Sequence, residues 1–149
     1  MDPIMIIVTA LAAGAAAGLK PTAEQAIKDA YVGLKTLIQH KYKILSVEAL
    51  EQKPDSETKQ ASIVEDLTDA GAANDMELLD QAKSLIDVVK AHDLAAAARI
   101  NINFEDIEAS YLKLKDAAAE GDVNITIKKT TISGGIYLEG LTAGTPGKK

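Results

Sequence analysis

Pro3-Ile-Met-Ile-Ile-Val-Thr-Ala-Leu-Ala-Ala-Gly-Ala-Ala-Ala-Gly-Leu19 is a run of 17 residues without a charge. Elsewhere the chain is rich in charge: Asp, Glu, Lys and Arg make up 26% of its 149 residues. A helix apolar on every side has to be enclosed by protein or by lipid. Asp2 before Pro3 reads as its start, an acidic N-cap followed by proline at the first helical position. A signal peptide would carry a basic leader, and Asp2 is the single early charge. A constitutive membrane span calls for about 20 apolar residues, more than are present. Two readings stay open: a central helix sheathed by the others, and the same helix released to insert into a membrane. Gly14 and Gly18, with Ala10 one step earlier, allow close helix approach in lipid or within a bundle.

Working outward, Thr22 and Gln25 suggest a capping box for a second helix. Its apolar stripe runs through Ala23, Ala26, Ile27, Ala30, Tyr31, Leu34, Leu37, Ile38, Tyr42 and Leu45. Lys28, Lys35, Lys41 and Lys43 lie opposite. Val47 and Leu50 suggest a short helical turn before the break at Lys53-Pro54-Asp55-Ser56. A further helix carries Ala61, Ile63, Val64, Leu67 and Ala70 and closes at Gly71. Asn74 or Asp75 caps the next, whose stripe is Leu78, Leu79, Ala82, Leu85, Ile86 and Val89. Short connections between such helices predict an antiparallel bundle. Residues 45–95 hold 4 Lys against 12 Asp and Glu, so this half is acidic.

Beyond Asp93–Arg99 the pattern shifts toward alternation. Ile100, Ile102 and Ile107 share one spacing with Leu112, Leu114 and Ala119. Ile125, Ile127 and Ile132 repeat it, as do Ile136, Leu138 and Ala143. Gly121, Gly134 and Gly144 close the last three sets. Such repetition predicts stacked short strands that drive assembly. The expected fold class is therefore α+β: a helical bundle over 1–95, a repetitive, solenoid-like β segment over 96–145, and a polar tail over 146–149. The assembly residues expected are Ile100, Ile102, Ile107, Leu112, Leu114, Ile125, Ile127, Ile132, Ile136 and Leu138.

Chemistry is sparse. There is no Cys, and aromatic residues are 3%. His40 and His92 sit near helix ends, where a cation suits the dipole. No metal-ligand spacing, paired carboxylates or phosphate loop is found. No enzymatic activity and no cofactor are expected. A net charge of −6 without aromatic platforms argues against nucleic acid.

Met1-Asp-Pro-Ile4, the run Ile7–Leu19, Ala26-Ile-Lys-Asp-Ala-Tyr-Val-Gly-Leu-Lys35 and Asp69-Ala-Gly-Ala-Ala-Asn-Asp-Met-Glu-Leu-Leu79 resemble the bacterial HeLo-like domains called Bell domains. The resemblance covers about residues 1–92. It implies a helical bundle related to fungal HeLo domains, acting as a membrane-permeabilising cell-death effector in bacterial defence. It also implies a C-terminal amyloid signalling motif, templated by a NACHT or NB-ARC type receptor. The apolar segment that attacks the membrane would be Ile4, Ile6, Ile7, Val8, Leu11, Gly14, Gly18 and Leu19. The expected setting is the cytoplasm at rest and the inner membrane on activation, as a homo-oligomer. A non-lytic adaptor that self-associates or binds a partner through the β segment is the alternative. The tail is open among an amyloid, a folded solenoid and an ordinary β-domain.

Overall fold

The first helix is the axis around which the others are wound. The computed structural model describes residues 1–126, with side chains as far as residue 119. The chain divides into two compact units, Met1–Tyr111 and Leu112–Lys149. Among the described residues seven α-helices follow in order: α1 (Pro3–Gly18), α2 (Gln25–Tyr42), α3 (Val47–Gln52), α4 (Glu57–Asp69), α5 (Met76–His92), α6 (Leu94–Ile100) and α7 (Phe104–Thr126). A 3-10 turn, Ala72–Asn74, joins α4 to α5.

The caps follow from the side chains available. Asp2, Ser56, Asp75 and Asp93 each accept a hydrogen bond from a backbone N–H in the first turn of the helix they precede. Each satisfies one of the donors a helix start leaves open. The capping box expected at Thr22 is not formed. Glu24 precedes α2 instead, and its side chain makes no cap hydrogen bond. Gly71 ends α4 at φ 77°, the left-handed conformation that glycine tolerates.

The expected stripes turn inward where the residues are large. Ile27, Tyr31, Leu34 and Ile38 of α2 are buried, as are Ile63 and Leu67 of α4. Leu78, Leu79, Ala82, Leu85, Ile86 and Val89 of α5 are buried too. Leu45, expected on the same stripe as Ile38, stands out in solvent. The helix has already ended at Tyr42, so the helical period no longer fixes its direction.

The expected β segment is overturned. Among the described residues there is no strand. Ile100 is the last residue of α6, and Ile102 lies in the turn after it, donating its N–H to the Ala97 carbonyl at 3.2 Å. Ile107, Leu112, Leu114 and Ile125 all lie on α7. Ile107 is buried, whereas Leu112 is exposed. The offset of seven that related the sets is also two turns of helix. Phe104, Ile107, Tyr111 and Leu114 hold the three-and-four spacing that wins here. Ile127, Ile132, Ile136, Leu138 and the tail 146–149 lie outside the described residues.

Packing at the two glycines of α1 is unequal. A Cβ on Gly14 would stand 2.7 Å from both Leu85 Cδ2 and Tyr31 Cδ1. A Cβ on Gly18 would meet Ile27 Cγ2 at 3.4 Å, an ordinary contact. Alanine gains about 1 kcal/mol of helix propensity over glycine, while overpacking a tight core costs about 1–3 kcal/mol. Thermal melts of the full chain should therefore separate the two. Gly14→Ala is expected to lower the midpoint, and Gly18→Ala to leave it unchanged or raise it. Equal behaviour of the two variants would refute the close approach at Gly14.

Candidate functional site

The candidate site is α1 with the enclosure around it. Ile4, Ile6, Ile7, Val8 and Leu11 are all buried, and every residue from Ala10 to Gly18 is buried as well. Only Pro3, Met5 and Thr9 of this helix are not buried. Leu19, just past its end, is exposed. Helices α2, α3, α4, α5 and α6 and the 3-10 turn all touch α1. Its alanine-rich second half is slender, so neighbouring backbones can approach from several directions. Burying each large aliphatic side chain contributes about 1.5–3 kcal/mol. Thus the expected insertion residues lie together on one element, with Leu19 alone outside the enclosure.

Polar contacts hold the sheath closed. At the far end of α1, Lys20 pairs with Asp93 at 2.7 Å. Asp93 also accepts from the Ala96 N–H at 3.0 Å and so caps α6. On α2, the Tyr31 hydroxyl donates to Glu51 of α3 at 2.6 Å, and Lys35 pairs with the same oxygen at 2.7 Å. Burial pushes the Tyr31 phenol far above its usual range, and Glu51 adds to the effect. It stays a donor at any ordinary pH. At the end of α2, Lys41 and the Tyr42 hydroxyl both engage Asp75, which also caps α5. Arg99 of α6 reaches Asp55, ahead of α4, at 3.5 Å.

Lys83 is the one charged residue buried among the described residues. It pairs with Asp87 at 2.9 Å and with Glu108 of α7 at 2.6 Å, and lies 5.2 Å from the centroid of the Tyr111 ring. The Tyr111 hydroxyl donates to Asp80 at 2.8 Å. The start of α7 is thereby seated on α5. Sequence reading passed over this cluster. The available signal was Lys83 itself, four residues after Leu79 and three before Ile86, a cation inside an apolar stripe.

His40 and His92 do lie in the last turns of α2 and α5. Among the described residues no group of three His, Asp or Glu side chains could hold a metal ion. No helix among them is long and apolar enough to cross a membrane.

Comparison with known proteins gives the family. The profile of the Het-E N-terminal domain (HetE-N), a family of helical HeLo-like domains from fungal cell-death proteins, matches residues 1–135. The chain belongs to that family, and is a HeLo-like cell-death and signalling domain. The resemblance read from the opening residues holds at the level of the HeLo-like fold. No curated protein and no solved structure matches.

The latches have a defined pH response. Lys20 holds the Asp93 carboxyl below its usual range. Burial works to raise Asp75, but the bonds from Lys41, Tyr42 and the Leu78 N–H outweigh it and hold that group low too. Stability from these carboxylates is present above about pH 4 and is lost as pH falls through their lowered values. Burial works to lower Lys83, yet Glu108 and Asp87 prevail and hold it high. Its contribution is present below about pH 10 and is lost as pH rises through its raised value. The contribution of these latches to the melting midpoint is expected to be flat between about pH 5 and pH 9. Below about pH 4 the midpoint should fall, and Asp75→Asn with Asp93→Asn should flatten that fall. An acid slope identical to the parent's would remove these two groups from the account.

Proposed function

We propose that this domain is a membrane-directed cell-death effector whose weapon, α1, is stored as the core of its own sheath. The observation carrying this reading is the burial of an uncharged helix within a charged protein, unbroken from Ala10 to Gly18 and open before that at Pro3, Met5 and Thr9. In soluble bundles a helix usually shows one apolar stripe. Here the apolar surface runs all round, as it would for a helix destined for lipid. A bacterial setting, an inner-membrane target and a receptor of NACHT or NB-ARC type belong to the same proposal. They are supported by the likeness of Met1–Leu19 and Ala26–Lys35 to bacterial HeLo-like domains.

The length of α1 shapes the mechanism. Sixteen residues span about 24 Å at 1.5 Å per residue, against about 30 Å of hydrocarbon. A single straight crossing is therefore not proposed. Several copies of α1 lying in or thinning the bilayer suit that length better, with Gly14 and Gly18 free to mediate helix pairing once outside the sheath. The same shortfall favours the second reading, an adaptor in which α1 never leaves the core.

Deleting residues 1–19 cannot separate these readings, because it removes the core. A cross-link can. Lys20 and Asp93 meet at 2.7 Å, and the chain has no Cys of its own. Lys20→Cys with Asp93→Cys, joined by a reducible bis-methanethiosulfonate, ties the end of α1 to the sheath. Dye release from anionic liposomes is expected to be blocked in the cross-linked protein and restored by reduction. Leakage despite the cross-link would show that α1 need not leave at this end. No leakage in either form, nor from the parent, would favour the adaptor.

A further inference from the structure

Among the described residues three helices end through a left-handed residue: Gly71 after α4, Asn101 after α6 and Lys43 after α2. Glycine and asparagine accept that conformation readily, and lysine does so far less often. A backbone held there in spite of its side chain points to a requirement of the place. Lys43 lines a groove of about 560 Å³, together with Tyr42, Ile44, Leu45, Asp66, Asp69 and Ala70. Leu45 stands at 70% exposure, the highest of any large apolar side chain among the described residues.

The polar groups of the groove are uneven. Asp66 and Asp69 lie three residues apart on α4, so both carboxylates share one face. Asp66 accepts from the Ser46 hydroxyl at 2.6 Å. Asp69 is exposed. Lys43 is the one cation among the lining residues. The lining carries two carboxylates against one ammonium, and residues 45–95, which supply the Asp66 and Asp69 wall, hold 4 Lys against 12 acidic residues, a net negative field. Such a field steers cations inward and repels anionic surfaces.

The geometry points to a docking groove for a cationic, amphipathic helical segment of a partner protein. Its Leu or Ile would cover Leu45 and Ala70, and its Lys or Arg would pair with Asp66 and Asp69. This is the helix-in-groove mode of recognition, with an apolar anchor beside a charged one. The groove's volume falls within the range of ordinary ligand sites, roughly 300–1,000 Å³.

The test uses the full chain and a fluorescein-labelled peptide of repeated Leu-Lys-Ala-Ala-Leu-Lys-Ala heptads, read by anisotropy. Its counterpart with Glu for Lys serves as the control. The Lys peptide is expected to bind and the Glu peptide not to. Leu45→Ser, at an exposed position, and Asp66→Asn with Asp69→Asn should each weaken binding about tenfold. Glu57→Gln with Glu105→Gln changes the charge equally, away from the groove, and should leave binding intact. Equal weakening by the two charge pairs would reduce the effect to bulk attraction and overturn the proposal. Absence of binding would overturn it as well. So would self-association, or adsorption to phosphatidylserine vesicles, that Leu45→Ser abolishes, since the groove would then serve a second copy or a lipid surface.

Discussion

Everything in the bundle depends on the need to keep water from an uncharged helix that is apolar in every direction. A stripe can be covered by one neighbour; a whole circumference cannot. That requirement explains why α2, α3, α4, α5 and α6 all reach α1, and why α3 and α6, of six and seven residues, are so short. They close gaps that the longer helices leave. It also explains the alanines. Packing several helices onto one rod is possible only if the rod is thin, and residues 12–18 carry no side chain larger than a methyl group.

The polar contacts answer a different need. Apolar burial fixes what must be inside but specifies register weakly. Asp75 and Asp93 each cap one helix while pairing with a lysine from elsewhere in the chain. A single carboxylate then sets both where a helix starts and what it lies against. Lys83 extends this logic to α7, drawing Glu108 to α5 while its own chain neighbour Asp87 shares the charge. Such partly exposed pairs contribute modestly to stability, about 0–1 kcal/mol for an exposed one. Their larger effect is on which arrangement is chosen.

Much of this was legible in the sequence. Asp2-Pro3 and Asp75 announced helix starts through chemistry that acts within one turn. The stripe Leu78–Val89 announced its inner face through a strong period. The pattern beyond Asp93 misled because its evidence was ambiguous. A spacing of seven suits two helical turns as well as a repeated strand unit, and a pair two apart, such as Leu112 and Leu114, is too short to choose between them. Phe104, Ile107 and Tyr111 carried the better signal. Long-range partners such as Lys20 with Asp93 or Tyr31 with Glu51 leave no local trace, because pairing across the fold depends on how helices cross. The Lys43 groove was illegible for the same reason: its walls come from two separate stretches, 42–46 and 66–70.

A rod that forms the centre of its container has a consequence for how often it can be used. Were α1 withdrawn, five helices would lose their common partner at once, and Ile27, Tyr31 and Leu85, which lie against its glycines, would face an empty axis. Protein interiors do not sustain a void of that size; the walls fall together or seek apolar surface in another molecule. There would be no vacant sheath for the helix to re-enter. Built in this way, the molecule resembles a cartridge more than a valve: its stored state can be discharged, but not reset.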